Sequence, residues 1–180
     1  MNKAYNKVEW NFLEAVLRKL GFDEIWISWI MECVTTVSYS LVIKGKPSPS
    51  FYPNKGIRQG DSLSLYLFLF VVDVLSRFIL NRAQDKVIVG MKLSKHYPKL
   101  THLFFADDSL FFLNTNPANC RKMERCIKEY CVALGQLVNI EKSSIIFSEN
   151  VFGDVKGIIK KVLGVKAARN PGIYLGIPSL

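Results

Sequence analysis

The segment Leu103-Phe104-Phe105-Ala106-Asp107-Asp108-Ser109-Leu110-Phe111-Phe112-Leu113 constrains this chain more than any other. Two apolar, aromatic runs flank a short acidic break, a pattern that predicts a tight β-hairpin with carboxylates at its tip. The flanking phenylalanines are expected to bury the strands, so that Asp107 and Asp108 cannot relieve their mutual repulsion by moving apart. A bound divalent cation relieves it instead. Aspartate is also a common turn residue, so the pair alone reads rather as an ordinary acidic turn.

Around the hairpin, helices and strands alternate irregularly, which indicates an α+β fold in one domain over residues 1–180. Asn6-x-x-Glu9 reads as a capping box opening a helix over about 8–20, stopped by Gly21. A second helix is expected from near Asp23 to about Thr35. It is apolar almost all round (Ile25, Trp26, Trp29, Ile30, Val34) and so expected to be well buried. Residues 38–43 are a strand candidate, and 45–50, with two prolines, a loop. After the polar loop 54–61 a long helix runs to about Arg82, and short strands surround Gly90. Asn116-Pro117 opens a helix that Gly135 ends. Residues 138–148 read as strand, 151–163 as a helix closed by Gly164, and 173–177 as a last short strand. The expected architecture is an antiparallel sheet carrying the hairpin, with helices on one face.

The balance of 49% hydrophobic and 22% charged residues suits a globular domain and argues against disorder. A net charge of +9 favours a polyanionic partner, nucleic acid or an anionic membrane surface, without choosing between them. Cys33, Cys120, Cys126 and Cys131 form no C-x-x-C pair, and His96 and His102 stand in no ligand spacing with them. A zinc site is therefore not expected; reduced, mostly buried thiols of an intracellular protein, cytoplasmic or nuclear, are. The first ten residues lack the apolar core of a signal peptide. The apolar run 63–80 mimics a membrane span but carries Asp73. A central Asp costs roughly 2.5–3.5 kcal/mol on insertion, so a buried core helix and no membrane partner are expected.

Gly56-Ile57-Arg58-Gln59-Gly60-Asp61 is the second chemistry-bearing segment. Its glycines allow close backbone approach to a ligand, Arg58 can grip a phosphate or stack on a base, and Gln59 can read polar edges. Alone it reads rather as a solvated loop before a helix.

Taken in order, M-N-K-A-Y-N-K-V-E-W, K-G-I-R-Q-G-D-S-L-S-L-Y-L-F, F-A-D-D, G-Q-L-V-N-I-E-K-S-S and Y-L-G-I-P-S span the chain from Met1 to Ser179. This series resembles the successive palm motifs of plant LINE-type (non-LTR) retrotransposon reverse transcriptases. The resemblance implies a right-hand polymerase palm acting as an RNA-directed DNA polymerase, with an RNA template, a DNA primer and dNTP as its partners. It implies Asp107 and Asp108 as the ligands of Mg²⁺ or Mn²⁺, and Tyr5 as the ring that stacks under the incoming sugar and excludes a 2′-hydroxyl. Arg58, Gln59 and Gly60 become nucleotide and template contacts, Lys142 the proton donor to the leaving pyrophosphate, and Tyr174, Leu175 and Gly176 the primer-contacting turn. It also implies that Tyr5, Gln59 and Asp107 converge on one cleft.

The series departs from the family at several positions. Asn6 stands where the family has Asp, and Ser62 and Leu65 replace prolines. Asn and Asp cap helices about equally well, and serine can cap a helix too. The family's first metal-binding Asp would fall just before Met1. The expectation is therefore an incomplete palm, fingers and thumb largely absent, with weakened metal binding and impaired catalysis. The alternative is a non-catalytic nucleic-acid-binding relic of such a polymerase.

Overall fold

The computed structural model of the chain describes residues 4–105 and 108–168 and the strand pairs 173–174 and 177–178. Among these residues the chain is mixed helix and sheet, divided into two compact units. One comprises Lys3–Val74 with Ala133–Gln136; the other Met1–Asn2, Leu75–Val132 and Leu137–Leu180.

In the first unit a 3₁₀ turn, Tyr5–Lys7, precedes helix α1 (Trp10–Lys19). The expected capping box is not formed. Glu9 holds the N-cap position without a side-chain capping bond. Its carboxylate is taken by the Lys55 amino group at 2.9 Å instead. Extended backbone at Val8 and Glu9 separates the turn from the helix. Helix α2 (Glu24–Thr35) starts where expected, because the Asp23 carboxylate accepts the Ile25 N–H at 2.8 Å.

α2 packs on α1 and buries Ile27, Ile30 and Val34, but it is not buried all round. Ile25, Trp26 and Trp29 are 60%, 55% and 59% exposed. A surface helix packs along one stripe only, here the i, i+3, i+7 line, and the remaining apolar side chains face outward.

Strands β1 (Val42–Ile43) and β2 (Lys46–Pro47) form a hairpin, with Tyr39 bridged to Phe51 below it. The expected loop therefore pairs. Lys44 and Gly45 take the positive φ angles of a tight hairpin turn. Pro47, which can donate no hydrogen bond, sits on a strand of a two-stranded sheet where none is needed on its outer side.

Helix α3 (Ser62–Gln84) supplies residues to both units. It is long and apolar enough to cross a membrane, yet buries Ser64, Leu67, Phe68, Val71, Val72, Leu75 and Ile79 along one side. Leu65, Tyr66 and Leu69 remain exposed.

In the second unit, strands β3 (His102–Phe105) and β4 (Asp108–Phe111) form the expected antiparallel hairpin. The segment about Gly90 joins its base: Gly90 bridges Leu113 and Met91 bridges Leu100. Buried Asn119 fastens this segment, accepting the Val89 N–H at 2.9 Å and donating to the Val89 and Asn114 carbonyls. Asn119 lies on helix α4 (Pro117–Leu134), capped by Asn116 through the Ala118 N–H at 2.8 Å. Cys120, Cys126 and Cys131 are buried on α4, and burial raises the pKa of each thiol; Cys33 is exposed.

The expected strand over 138–148 shrinks to β5 (Ser144–Ile145). Asn139 captures the preceding residues in a turn, accepting the Lys142 N–H with its side chain and the Ser143 hydroxyl with its carbonyl. β5 pairs in parallel with β6 (Lys166–Ala167) in a two-stranded sheet separate from the antiparallel hairpin. Between them helix α5 (Gly153–Leu163) ends at Gly164, φ +66°. The last expected strand is a pair, β7 (Ile173–Tyr174) antiparallel to β8 (Ile177–Pro178).

Candidate functional site

Two segments distant in sequence are stitched together at Tyr5. The Tyr5 carbonyl accepts the Ile57 N–H at 2.9 Å, and the Val8 carbonyl accepts the Gly56 N–H at 2.8 Å. Trp10 Nε1 donates to the Gly56 carbonyl at 2.8 Å. Gly56 is required for this approach: its φ is +93°, and a Cβ there would stand 2.8 Å from the Asn6 carbonyl oxygen. The Tyr5 ring lies flat on Phe68 of α3, centroids 4.4 Å and planes 18° apart.

Ile57 is buried, and Arg58, Gln59 and Gly60 emerge exposed directly beyond it. Arg58 borders a shallow pocket with Cys33, Tyr39, Asp61 and Ser64. Asp61, rather than Ser62, caps α3, accepting the Leu63 N–H at 3.2 Å. The structure thus brings Tyr5 and the Arg58-Gln59-Gly60 loop into one local arrangement. Asn6, read as a helix cap, is instead an exposed residue of the 3₁₀ turn.

Gln136 was not singled out from sequence, although it stands in G-Q-L-V-N. It is 2% exposed, and its Nε2 donates to the buried Ala4 carbonyl at 2.7 Å. A neutral residue after a helix-ending glycine carries no signal of this role; only its position inside a motif could have drawn attention.

In the second unit the hairpin register pairs Phe105 with Asp108 and His102 with Phe111. Asp108 is exposed at the end of β4; Ala106 and Asp107 lie outside the described residues. The strands are buried on one face only. Leu103 and Phe105 are 45% and 56% exposed, whereas His102, Phe104 and Phe111 are half-buried. The pleat sends alternate side chains to opposite faces, so a pair of strands covered on one side cannot bury both.

On the covered face Phe104 packs against His102 and edge-on to Phe111. His102 Nε2 lies 2.8 Å from Ser76 Oγ and Nδ1 2.9 Å from Thr101 Oγ1. Burial lowers the His102 pKa below its ordinary value.

Lys142 is exposed in the turn before β5, not on a strand. The Tyr174 backbone pairs with Ile177, while Leu175 and Gly176 lie outside the described residues. Among the described residues no three or more His, Cys, Asp or Glu gather into a metal-binding group.

The order of the motifs, with a loop bonded to the backbone at Tyr5 and a hairpin whose second strand opens on Asp108, is that of a class of nucleic-acid polymerase. Residues 1–178 match the family described as reverse transcriptase (RNA-dependent DNA polymerase), and the chain belongs to it. Membership implies a polymerase palm-type fold. The chain is 28% identical over 153 residues, 85% of its length, to a retrovirus-related Pol polyprotein from type-1 retrotransposable element R2 of Popillia japonica. It is 38% identical over 68 residues, 38% of its length, to an uncharacterised mitochondrial protein of Arabidopsis thaliana. These matches cover 24% of the first relative and 56% of the second.

Proposed function

We propose that this chain is the palm of a non-LTR retrotransposon reverse transcriptase, built to extend a DNA primer on an RNA template. The observation that carries the reading is the stitching of Tyr5 to the loop at 56–60, which holds an aromatic ring and the exposed Arg58, Gln59 and Gly60 on one support.

In this reading Tyr5, fixed by its stack on Phe68, lies under the incoming sugar and rejects a 2′-hydroxyl by contact. Arg58 grips phosphate in a charge-assisted fork. Gln59 and Gly60 border the nucleotide and template. Lys142, on an exposed turn, can deliver a proton to pyrophosphate, and the turn at Tyr174, Leu175 and Gly176 contacts the primer. Asp107 and Asp108 supply hard carboxylate oxygens, a donor set that suits Mg²⁺ or Mn²⁺. Such an ion, when bound, activates the primer 3′-hydroxyl and neutralises charge on the leaving pyrophosphate.

The test is template-dependent primer extension with Mg²⁺ or Mn²⁺, comparing the chain with Asp107→Asn. Metal-dependent extension lost in the variant supports the reading. The expectation of impaired catalysis is read in the same assay. Extension by these 180 residues rejects it, and extension only after a strand ending in Asp is placed before Met1 supports it. RNA binding with no extension under either condition identifies the non-catalytic, nucleic-acid-binding alternative.

A further inference from the structure

The positive charge of this chain is confined almost entirely to one unit. Lys3–Val74 with Ala133–Gln136 holds eight Lys and Arg against seven Asp and Glu, a net +1. The other unit holds sixteen against eight, a net +8. Within it, helix α4 is divided sharply by burial. Asn119, Cys120, Met123, Cys126, Tyr130 and Cys131 form its buried face. Arg121, Arg125 and Lys128, spaced i, i+4 and i+7, lie on the opposite side with Lys122 beside them, all exposed.

Lys128 pairs with Glu124, and Glu129 is taken by Arg82 at 3.4 Å. Arg121, Lys122 and Arg125 have no ion pair among the described residues. The acids of the helix are thus committed elsewhere and three cations are left facing solvent.

From this we infer that the outer face of α4 is a sequence-independent grip on the phosphate backbone of RNA, additional to the residues assigned above. Charge complementarity selects the occupant. From Arg121 to Lys128 the helix rises about 10.5 Å at 1.5 Å per residue. Duplex nucleic acid offers one charge per about 1.7 Å of axis, enough to occupy every cation of the stripe. Two of the three unpaired cations are arginines, whose planar fork matches phosphate. A membrane surface fits poorly, because the apolar face of α4 is buried and its outer face offers lipid only Val132 beside the cations.

The inference rests on the reverse-transcriptase reading only for the choice of RNA, and its test needs no catalysis. Binding of a labelled RNA duplex is followed by fluorescence anisotropy in EDTA from 50 to 200 mM salt. The chain is compared with Arg121→Gln/Lys122→Gln/Arg125→Gln and with the charge-matched control Lys92→Gln/Lys95→Gln/Lys99→Gln. Glutamine keeps helix propensity, and circular dichroism checks that each variant folds.

The α4 variant is expected to flatten the log–log salt slope by about 2 to 3, roughly 0.7–0.9 per lost phosphate contact, and the control by less than 1. An unchanged slope in the α4 variant, or equal loss in both, overturns the inference. So does displacement of RNA by polyglutamate at equal charge concentration, which points to an acidic protein instead. A chain that fails to extend primers yet shows the α4-specific slope retains this inference and rejects the polymerase reading.

Discussion

Gln136 shows how much can hang on one amide. Its Nε2 satisfies the Ala4 carbonyl, and Ala4 is 3% exposed, so no solvent can replace the bond. Gln136→Ala is expected to cost about 0.5–1.5 kcal/mol, the worth of one hydrogen bond, because the Ala4 carbonyl keeps only the longer bond from the Lys7 N–H at 3.4 Å. A shift in the urea unfolding midpoint measures it, and an unchanged midpoint refutes the role. Gly56→Ala is expected to cost at least about 1–2 kcal/mol, because it combines a left-handed φ with collision against Asn6.

His102 adds a pH dependence. Its pKa is lowered by burial from an ordinary value of 6.5, so the unfolded chain binds the proton more readily. The associated stability is complete above about pH 6.5 and is lost as pH falls toward the folded-state value. Melting temperatures should fall between pH 7.5 and 5.5, and His102→Gln should fall less. Parallel curves for the two proteins would exclude His102 as the source.

At the scale of elements, α2 separates composition from burial. Its apolar residues surround the helix, but the Ile27, Ile30 and Val34 line is buried while Trp26, which meets Phe22, and Trp29 stay more than half exposed. Ile27→Ala and Ile30→Ala are each expected to cost about 2–5 kcal/mol. Trp26→Gln and Trp29→Gln are expected to stay within about 0.5 kcal/mol, as surface substitutions do. A loss of several kcal/mol at either tryptophan, read by urea unfolding, would show that its ring is covered.

Apart from the start of α1, where the expected capping box is not formed, these helix ends followed local chemistry and were legible. Asp23 and Asn116 cap, and Gly135 and Gly164 terminate, because each rule involves atoms only a few residues apart. Gly135 also lies against the Glu9 side chain, which a Cβ would strike. That contact between residues 9 and 135 has no local signature.

At the scale of the molecule, the proposed metal site would tie ion binding to folding. A divalent ion that binds the folded hairpin and not the unfolded chain adds about 2.7 kcal/mol at a hundred times its Kd. Mn²⁺ should therefore raise the melting temperature, and Asp107→Asn/Asp108→Asn should abolish the rise. An equal rise in the variant would place the ion elsewhere. The asymmetry of charge belongs to this scale as well. A net +9 favours a polyanionic partner, but only the division into units confined the charge to one of them, and only the packed helix showed which cations lack an ion pair among the described residues.

By itself the sequence determined the family, the hairpin at His102–Phe111, the long helix after Asp61 and the helix ends at Asp23, Asn116, Gly135 and Gly164, but not the start of α1. Each depends on residue types at short, ordered spacings, and the succession of motifs is itself linear information. Tertiary structure decided which side of α2, α3 and the hairpin is covered, since periodicity cannot say how many neighbours an apolar face will meet. It decided that Lys46-Pro47 pair as a strand and that Lys142 sits on a turn, where single hydrogen bonds outweigh strand propensity. It also joined Tyr5 to Ile57 and Gln136 to Ala4. Those bonds form only when the chain closes long loops, and the burial that rewards closure is a property of the packed domain rather than of either segment.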